Sequence, residues 1–196
     1  MTATSNWFSL PALALMAGLA CFLPAPIAAQ AVSNSAEFEA WRKVQKEDID
    51  GLRNKFMSLA KAVPAEKLGW RPMEGTRSFH DVFAHVAAEG NTETAMFGGK
   101  LPAGSLANFE PEEARLDKLP DDQLIAAMDR SMQSLSATLA GLPLDKMNTS
   151  IIYYGQRTLP RIATTYTLND LHEHLGQLVS YARMHQIVPP WSKKTG

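Results

Sequence analysis

Four stretches of this chain repeat apolar residues at three- and four-residue steps, and each is closed by proline or glycine. That period lays an apolar stripe along one side of an α-helix, and a chain with several such stripes must bury them against one another. The first stripe spans about Asn34 to Val63, through Phe38, Trp41, Val44, Ile49, Leu52, Phe56, Leu59 and Val63. Asn34 and Glu37 have the spacing of a capping box, and Pro64 stops the helix. The second starts at Ser78, an N-cap residue with Asp81 three positions on, and carries Val82, Phe83, Val86 and Met96 up to Gly98-Gly99. The third begins near Asp121 behind Pro120, shows Leu124, Ile125, Met128, Met132, Leu135 and Leu139, and ends at Gly141. The fourth is read from about Thr167, with Leu168, Leu171, Leu175, Leu178 and Val179, and Pro189-Pro190 closes it. No run of alternating residues argues for a sheet, so the expected class is all-α, a four-helix bundle. The segments 98–120 and 147–166 are longer than an ordinary bundle turn and are expected to be long crossover connections. The second holds Ile151-Ile152-Tyr153-Tyr154-Gly155, which reads as a short strand or as an extended loop.

The segment before the bundle has a different character. Residues 1–31 contain no charged side chain, and Leu10 to Leu23 is a nearly unbroken apolar run of 14 residues. A permanent helical span needs roughly 20. Ala29 and Ala31 fit the small-x-small pattern at which a signal peptide is cut, although the start, MTATSN, offers only the amino terminus as positive charge. The expectation is a signal peptide over 1–31 and a single domain over 32–196, periplasmic or secreted, with no stable membrane span after cleavage. Cys21, the only cysteine, falls in the leader, so the mature chain is expected to lack disulfides, thiolate nucleophiles and cysteine-bound zinc. Nineteen basic residues against 20 acidic ones give a formal charge of −1, and without a Lys/Arg cluster no nucleic-acid partner is expected.

All five histidines lie in or beside the second and fourth helices. Residues four apart share a helix face, whereas residues two apart point roughly 200° from each other. Asp170 and His174 therefore project together, with Gln177 and Tyr181 continuing the stripe, and His85 pairs with Glu89 in the same way. If these stripes face each other, His85, Asp170 and His174 converge as a site for a divalent metal such as Zn, Ni or Mn. Glu89 or Gln177 would then orient a ligand from outside, and Glu89 or Tyr181 would handle protons. Asp170 also stands three residues after Thr167, a capping-box spacing, so a helix cap is the other reading of that residue. Each histidine taken alone reads as a hydrogen-bonded core residue. His80, His172 and His185 read as surface residues.

Two strings carry a resemblance. Trp70-Arg71-Pro72, with Gly75-Thr76-Arg77-Ser78-Phe79 and Phe83-Ala84-His85-Val86-Ala87, resembles the start of the second helix in DinB-like (DinB/YfiT) proteins. His172-Glu173-His174-Leu175-Gly176-Gln177-Leu178, continuing through Tyr181-Ala182-Arg183 to Val188-Pro189-Pro190, resembles their last-helix motif. The resemblance implies a four-helix bundle, often homodimeric, holding a divalent metal on three histidines. Two of those ligands carry over to His85 and His174. The third falls at Asp170, where this sequence departs from the pattern with a harder, anionic ligand. Some relatives are thiol-dependent transferases or isomerases acting chiefly in the cytosol, a chemistry that suits an exported chain poorly.

The functional expectation is therefore an exported protein with a divalent-metal site, acting as a metal-dependent hydrolase or transferase on a small molecule. The alternative is a bundle that has lost the metal and is structural or binds a small molecule without catalysis, with Trp70, Trp191, Tyr153 and Tyr154 at the mouth of its pocket.

Overall fold

A computed structural model of the protein describes residues 35–192. The proposed cap residue Asn34, the leader over 1–31 and Cys21 lie outside the described residues. Four long helices make the body: α1 (Ser35–Ala62), α2 (Phe79–Met96), α4 (Asp121–Gly141) and α6 (Pro160–Met184). Two short helices, α3 (Phe109–Leu116) and α5 (Leu144–Met147), and a hairpin of β1 (Ile151–Tyr153) and β2 (Gln156–Thr158) fill the long connections. Both α1 and α2 pack against α4 and α6, so the successive helices α1 and α2 stand across the core from each other.

The core forms where the stripes meet. Ile49, Leu52, Phe56 and Leu59 of α1, Phe79, Val82 and Phe83 of α2, Leu124, Met128, Met132 and Leu135 of α4 and Leu171 and Leu178 of α6 are all buried. The stripe of α1 is divided. Phe38 and Trp41 join Leu142, Leu144 and Met147 in a separate apolar cluster, and Val44, expected on the buried face, is 59% exposed. Val44 precedes Ile49 by five residues, which turns it about 140° from the core-facing side.

Local chemistry sets the ends of α2. Ser78 Oγ accepts from Asp81 N (3.1 Å) and the Asp81 carboxylate accepts from Ser78 N (2.8 Å), the reciprocal pair expected of a capping box. At the other end Gly98 takes a positive φ of 76°, which glycine adopts without steric cost. The helix is buried over nearly its whole circumference, from Val82 to Ala88 and Gly90 to Thr94. Its close approach to α4 depends on Gly90, because a Cβ there would come within 2.4 Å of Ser131 Oγ, which donates to Ala87 O. Gly90→Ala is expected to destabilise the fold by about 1 kcal/mol despite alanine's better helix propensity, since the hydroxyl must leave its acceptor. In a Ser131→Ala background the same substitution is expected to stabilise, and urea melts of the four proteins in that cycle measure the reversal.

The connection over 98–120 is not a bare crossover. It folds as α3, pinned by Glu112, whose fully buried carboxylate accepts from Asn91 Nδ2 (2.7 Å), Leu106 N (3.0 Å) and Arg115 Nε and Nη2 (2.8 and 2.7 Å). Burial alone would raise the pKa of Glu112, but these donors outweigh it and hold it below the usual carboxylate value. In the connection over 147–166, the short-strand reading holds. Tyr154 and Gly155 both take positive φ (44° and 79°) in the two-residue turn that joins β1 to β2, the backbone that matches strand twist in tight hairpins.

The last helix starts earlier than expected, at Pro160 rather than near Thr167. Its first turns bury Pro160, Ala163, Thr164 and Thr167, a face too small and polar to register as an apolar stripe. Asp170 is thus an interior residue of α6 and caps nothing.

Candidate metal centre

Helices α2 and α6 bring their polar stripes together at one level of the bundle. His85 and Glu89, one turn apart on α2, face Asp170 and His174, one turn apart on α6, and one ligand atom from each lies within 4.8 Å of the other three. The imidazole centroids of His85 and His174 are 4.6 Å apart. His85 Nε2 stands 3.0 Å from Glu89 Oε1, and His174 Nε2 stands 3.4 Å from Asp170 Oδ2 and 3.9 Å from Glu89 Oε2. His85, Asp170 and His174 thus meet, as expected if the two polar stripes face each other. Glu89, expected to support the site from outside, stands among them.

Each imidazole is held from behind. His85 Nδ1 bonds the Glu113 carboxylate at 2.7 Å, and Arg77 in turn contacts Glu113 at 3.2 Å. His174 Nδ1 bonds Gln177 Oε1 at 3.3 Å, Gln177 Nε2 donates to Tyr181 Oη at 2.7 Å, and Tyr181 donates to Arg77 O at 3.1 Å. These partners fix both rings so that their Nε2 atoms point into the cluster, the arrangement by which outer partners orient metal-bound histidines. Glu113 was not legible from the sequence, because it arrives on α3, 28 residues from His85. Tyr181, read as a proton handler, is committed to the Arg77 carbonyl at the base of this chain of hydrogen bonds.

The electrostatics are those of ionisable groups crowded into a partly buried site. Burial, and then the neighbouring Asp170 carboxylate, push Glu89 up to about 9. Asp170 goes the other way, held well below the usual carboxylate range first by its hydrogen bond to His174. Burial alone would lower His174, but its bond to Asp170 and the charge of Glu89 outweigh that, and its pKa is raised. A turn further along α2, Glu93 is only 3% exposed and is pushed by burial up to about 8; its carboxyl accepts from Tyr153 Oη at 2.6 Å.

Beside the cluster opens a cavity of about 420 Å³ whose lining includes Glu89, Glu93, Tyr153, Tyr154 and Asp170. Two of the aromatics expected at its mouth are elsewhere. Trp70 packs on Phe79, Tyr181 and His185, and Trp191 sits in the short 3₁₀ turn Pro190–Ser192. Of the remaining histidines, His172 is exposed and faces Asp48, as a surface residue should. His80 and His185 are partly buried instead, His80 on Asp121 at 2.6 Å and His185 against the Trp70 ring.

The sequence model of the DinB superfamily matches residues 48–178. The chain belongs to the DinB superfamily. That match contains all four residues of the cluster. Among solved structures, the chain is similar to a DinB-like protein from Bacillus cereus at 13% identity, over 71% of this chain and 89% of that one, with a TM-score of 0.58. At that identity the likeness concerns the fold alone. Among curated proteins no significant match is found.

The donor set suits a divalent ion of borderline hardness. Two neutral imidazoles and two carboxylates would balance its charge. A further observation supports the fit: Glu89 Oε2 is buried, has no hydrogen-bond partner and faces His174. Without a cation Glu89 keeps its proton and hydrogen-bonds Asp170, and a cation between the two helices would take the place of that proton.

Proposed function

We propose that this DinB-superfamily chain is an exported metal-dependent enzyme, a hydrolase or transferase acting on a small molecule. In this reading His85, Asp170 and His174 hold a Zn, Ni or Mn ion, and Glu89 supplies a further carboxylate. The observation that carries it is the convergence of four donor residues from two helices, both imidazoles braced from behind and one carboxylate oxygen left without a partner. When bound, such an ion polarises a substrate oxygen or lowers the pKa of a bound water or thiol. The cavity lined by Tyr153, Tyr154 and Glu93 is where a substrate would lie against the cluster. Tyr153 and Tyr154 stay protonated there, burial and then the Glu93 charge holding both phenols far above their ordinary value, so neither supplies a phenolate base, and the Tyr153 hydroxyl is already given to Glu93. Export by residues 1–31 and a homodimeric state complete the proposal.

The test is metal analysis of protein purified without added ions and then dialysed against Zn, Ni or Mn. One ion per chain is expected, accompanied by a rise in melting temperature, because a ligand that binds only the folded state stabilises it. Substoichiometric metal after dialysis against all three would remove the basis of the proposal. Asp170→His, which restores the three-histidine set of DinB-like relatives, is expected to keep the ion.

A further inference from the structure

We propose that a second cavity, remote in chemistry from the metal cluster, binds a small organic anion with an apolar tail, such as an alkyl carboxylate, with Arg161 as the headgroup partner. The cavity measures about 540 Å³ and lies between the first turns of α1 and α6, over Met147 of α5. That volume is in the range of small-molecule sites, roughly 300–1,000 Å³. Phe38 and Met147, both buried, form its apolar floor, and Trp41, Ile162 and Tyr166 line it further.

Arg161 is what gives the cavity a sign. It lines the space, and its Nε and Nη2 are buried without a hydrogen-bond partner. Among the described residues no carboxylate forms an ion pair with it, including Glu37, which lines the same cavity from an exposed position in the first turn of α1. Arg115 shows the contrast, with its guanidinium closed on Glu112 through Nε and Nη2 at 2.8 and 2.7 Å. A partly buried guanidinium with two unpaired N–H groups is costly, and a planar anion that takes two parallel hydrogen bonds is its natural complement. The position sharpens this. Arg161 follows Pro160 in the first turn of α6, where the helix dipole disfavours a cation and favours an anion. A ligand carboxylate there would satisfy the guanidinium and the dipole together, while its tail covers Phe38, Trp41 and Met147. None of these residues belongs to the cluster, although Tyr166 also lines the cavity beside it, and the Arg161 headgroup contact is independent of the metal reading.

The test titrates the full chain with decanoate, decanol and decyltrimethylammonium, followed by calorimetry and by the fluorescence of Trp41. Decanoate is expected to bind saturably at one per chain, and the neutral and cationic analogues at least about ten-fold more weakly, as the loss of a charged hydrogen bond implies. Arg161→Gln, with an unchanged melting temperature, is expected to lose the same factor for decanoate and almost none for decanol. Trp41→Phe should lose the fluorescence response. Absence of saturable decanoate binding, or equal binding of decanoate and decanol to the parent protein, would overturn the proposal without any reliance on a variant. Equal decanoate affinity in the folded Arg161→Gln protein would overturn it as well.

Discussion

His174→Ala will abolish stoichiometric binding of a divalent ion while leaving a folded bundle. The imidazole is only partly buried and packs at the polar seam between α2 and α6, so its removal opens little core. Its loss leaves Asp170 and Glu89 as two carboxylates without the intervening ring, and His85 as the only nitrogen ligand. Competition against a chelator of known affinity measures the effect. Gln177→Ala provides the internal scale, because Gln177 touches the site only through His174 Nδ1. Removing an orienting partner of that kind costs roughly 10–100-fold in metal affinity, and His174→Ala is expected to exceed it. Should the two variants bind alike, His174 is not a ligand.

The second large effect is a loss of stability with rising pH in the metal-free protein, and its reversal by Glu89→Gln. Glu89 and Glu93 are raised in the fold to about 9 and about 8, against ordinary values near 4.5. The folded state therefore keeps protons that the unfolded chain releases. Their contribution is fully present below about pH 4.5 and is lost as pH rises through 8 to 9. His174, also raised, has the same sign, its contribution complete below 6.5 and fading above it. Asp170, depressed, contributes stability above 3.8 that is lost only on acidification below that value, so it adds no slope between pH 5 and 9. Denaturant melts of metal-free protein should accordingly show stability falling steadily from pH 5 to pH 9. Glu89→Gln replaces a carboxyl that must take up a proton on folding at pH 8 with a neutral amide, and is expected to raise stability at that pH relative to the parent. The same variant is expected to bind metal more weakly. A flat pH profile for the metal-free parent, or a destabilised Glu89→Gln protein at pH 8, would contradict the electrostatic account.

Opposite signs for stability and metal affinity at one residue distinguish a site from a structural polar network. Glu112 is the comparison. It is the more buried of the two, but four donor contacts surround it, its pKa is lowered, and it anchors α3. Glu89 lies on the same helix face as His85 and has one oxygen with no partner.

Legibility from the sequence followed the range of the interactions involved. The Ser78–Asp81 cap, the stop at Pro64 and the positive-φ glycine at 98 rest on contacts a few residues apart, and each appears where the local pattern places it. The pairs His85–Glu89 and Asp170–His174 follow from helical period alone. The start of α6 did not, because Pro160, Ala163, Thr164 and Thr167 form a buried face without large apolar side chains. That missed start left Asp170 open to the reading of a cap. Helix α3 was hidden for a similar reason: its eight residues bury only Glu112 and Leu116, too few large apolar side chains to draw a stripe.

By itself, then, the sequence determined the four long helices, the faces they bury and the pairing of potential ligands within each helix, since these depend on a period of 3.6 residues and on capping chemistry. Only the tertiary structure decided that the two polar faces meet at one level, that Glu89 joins the cluster, that Glu113 and Gln177 brace the imidazoles, and that Arg161 is left unpaired beside an apolar cavity. These are distances between groups far apart along the chain, set by how helices of different length and start point dock against a shared core.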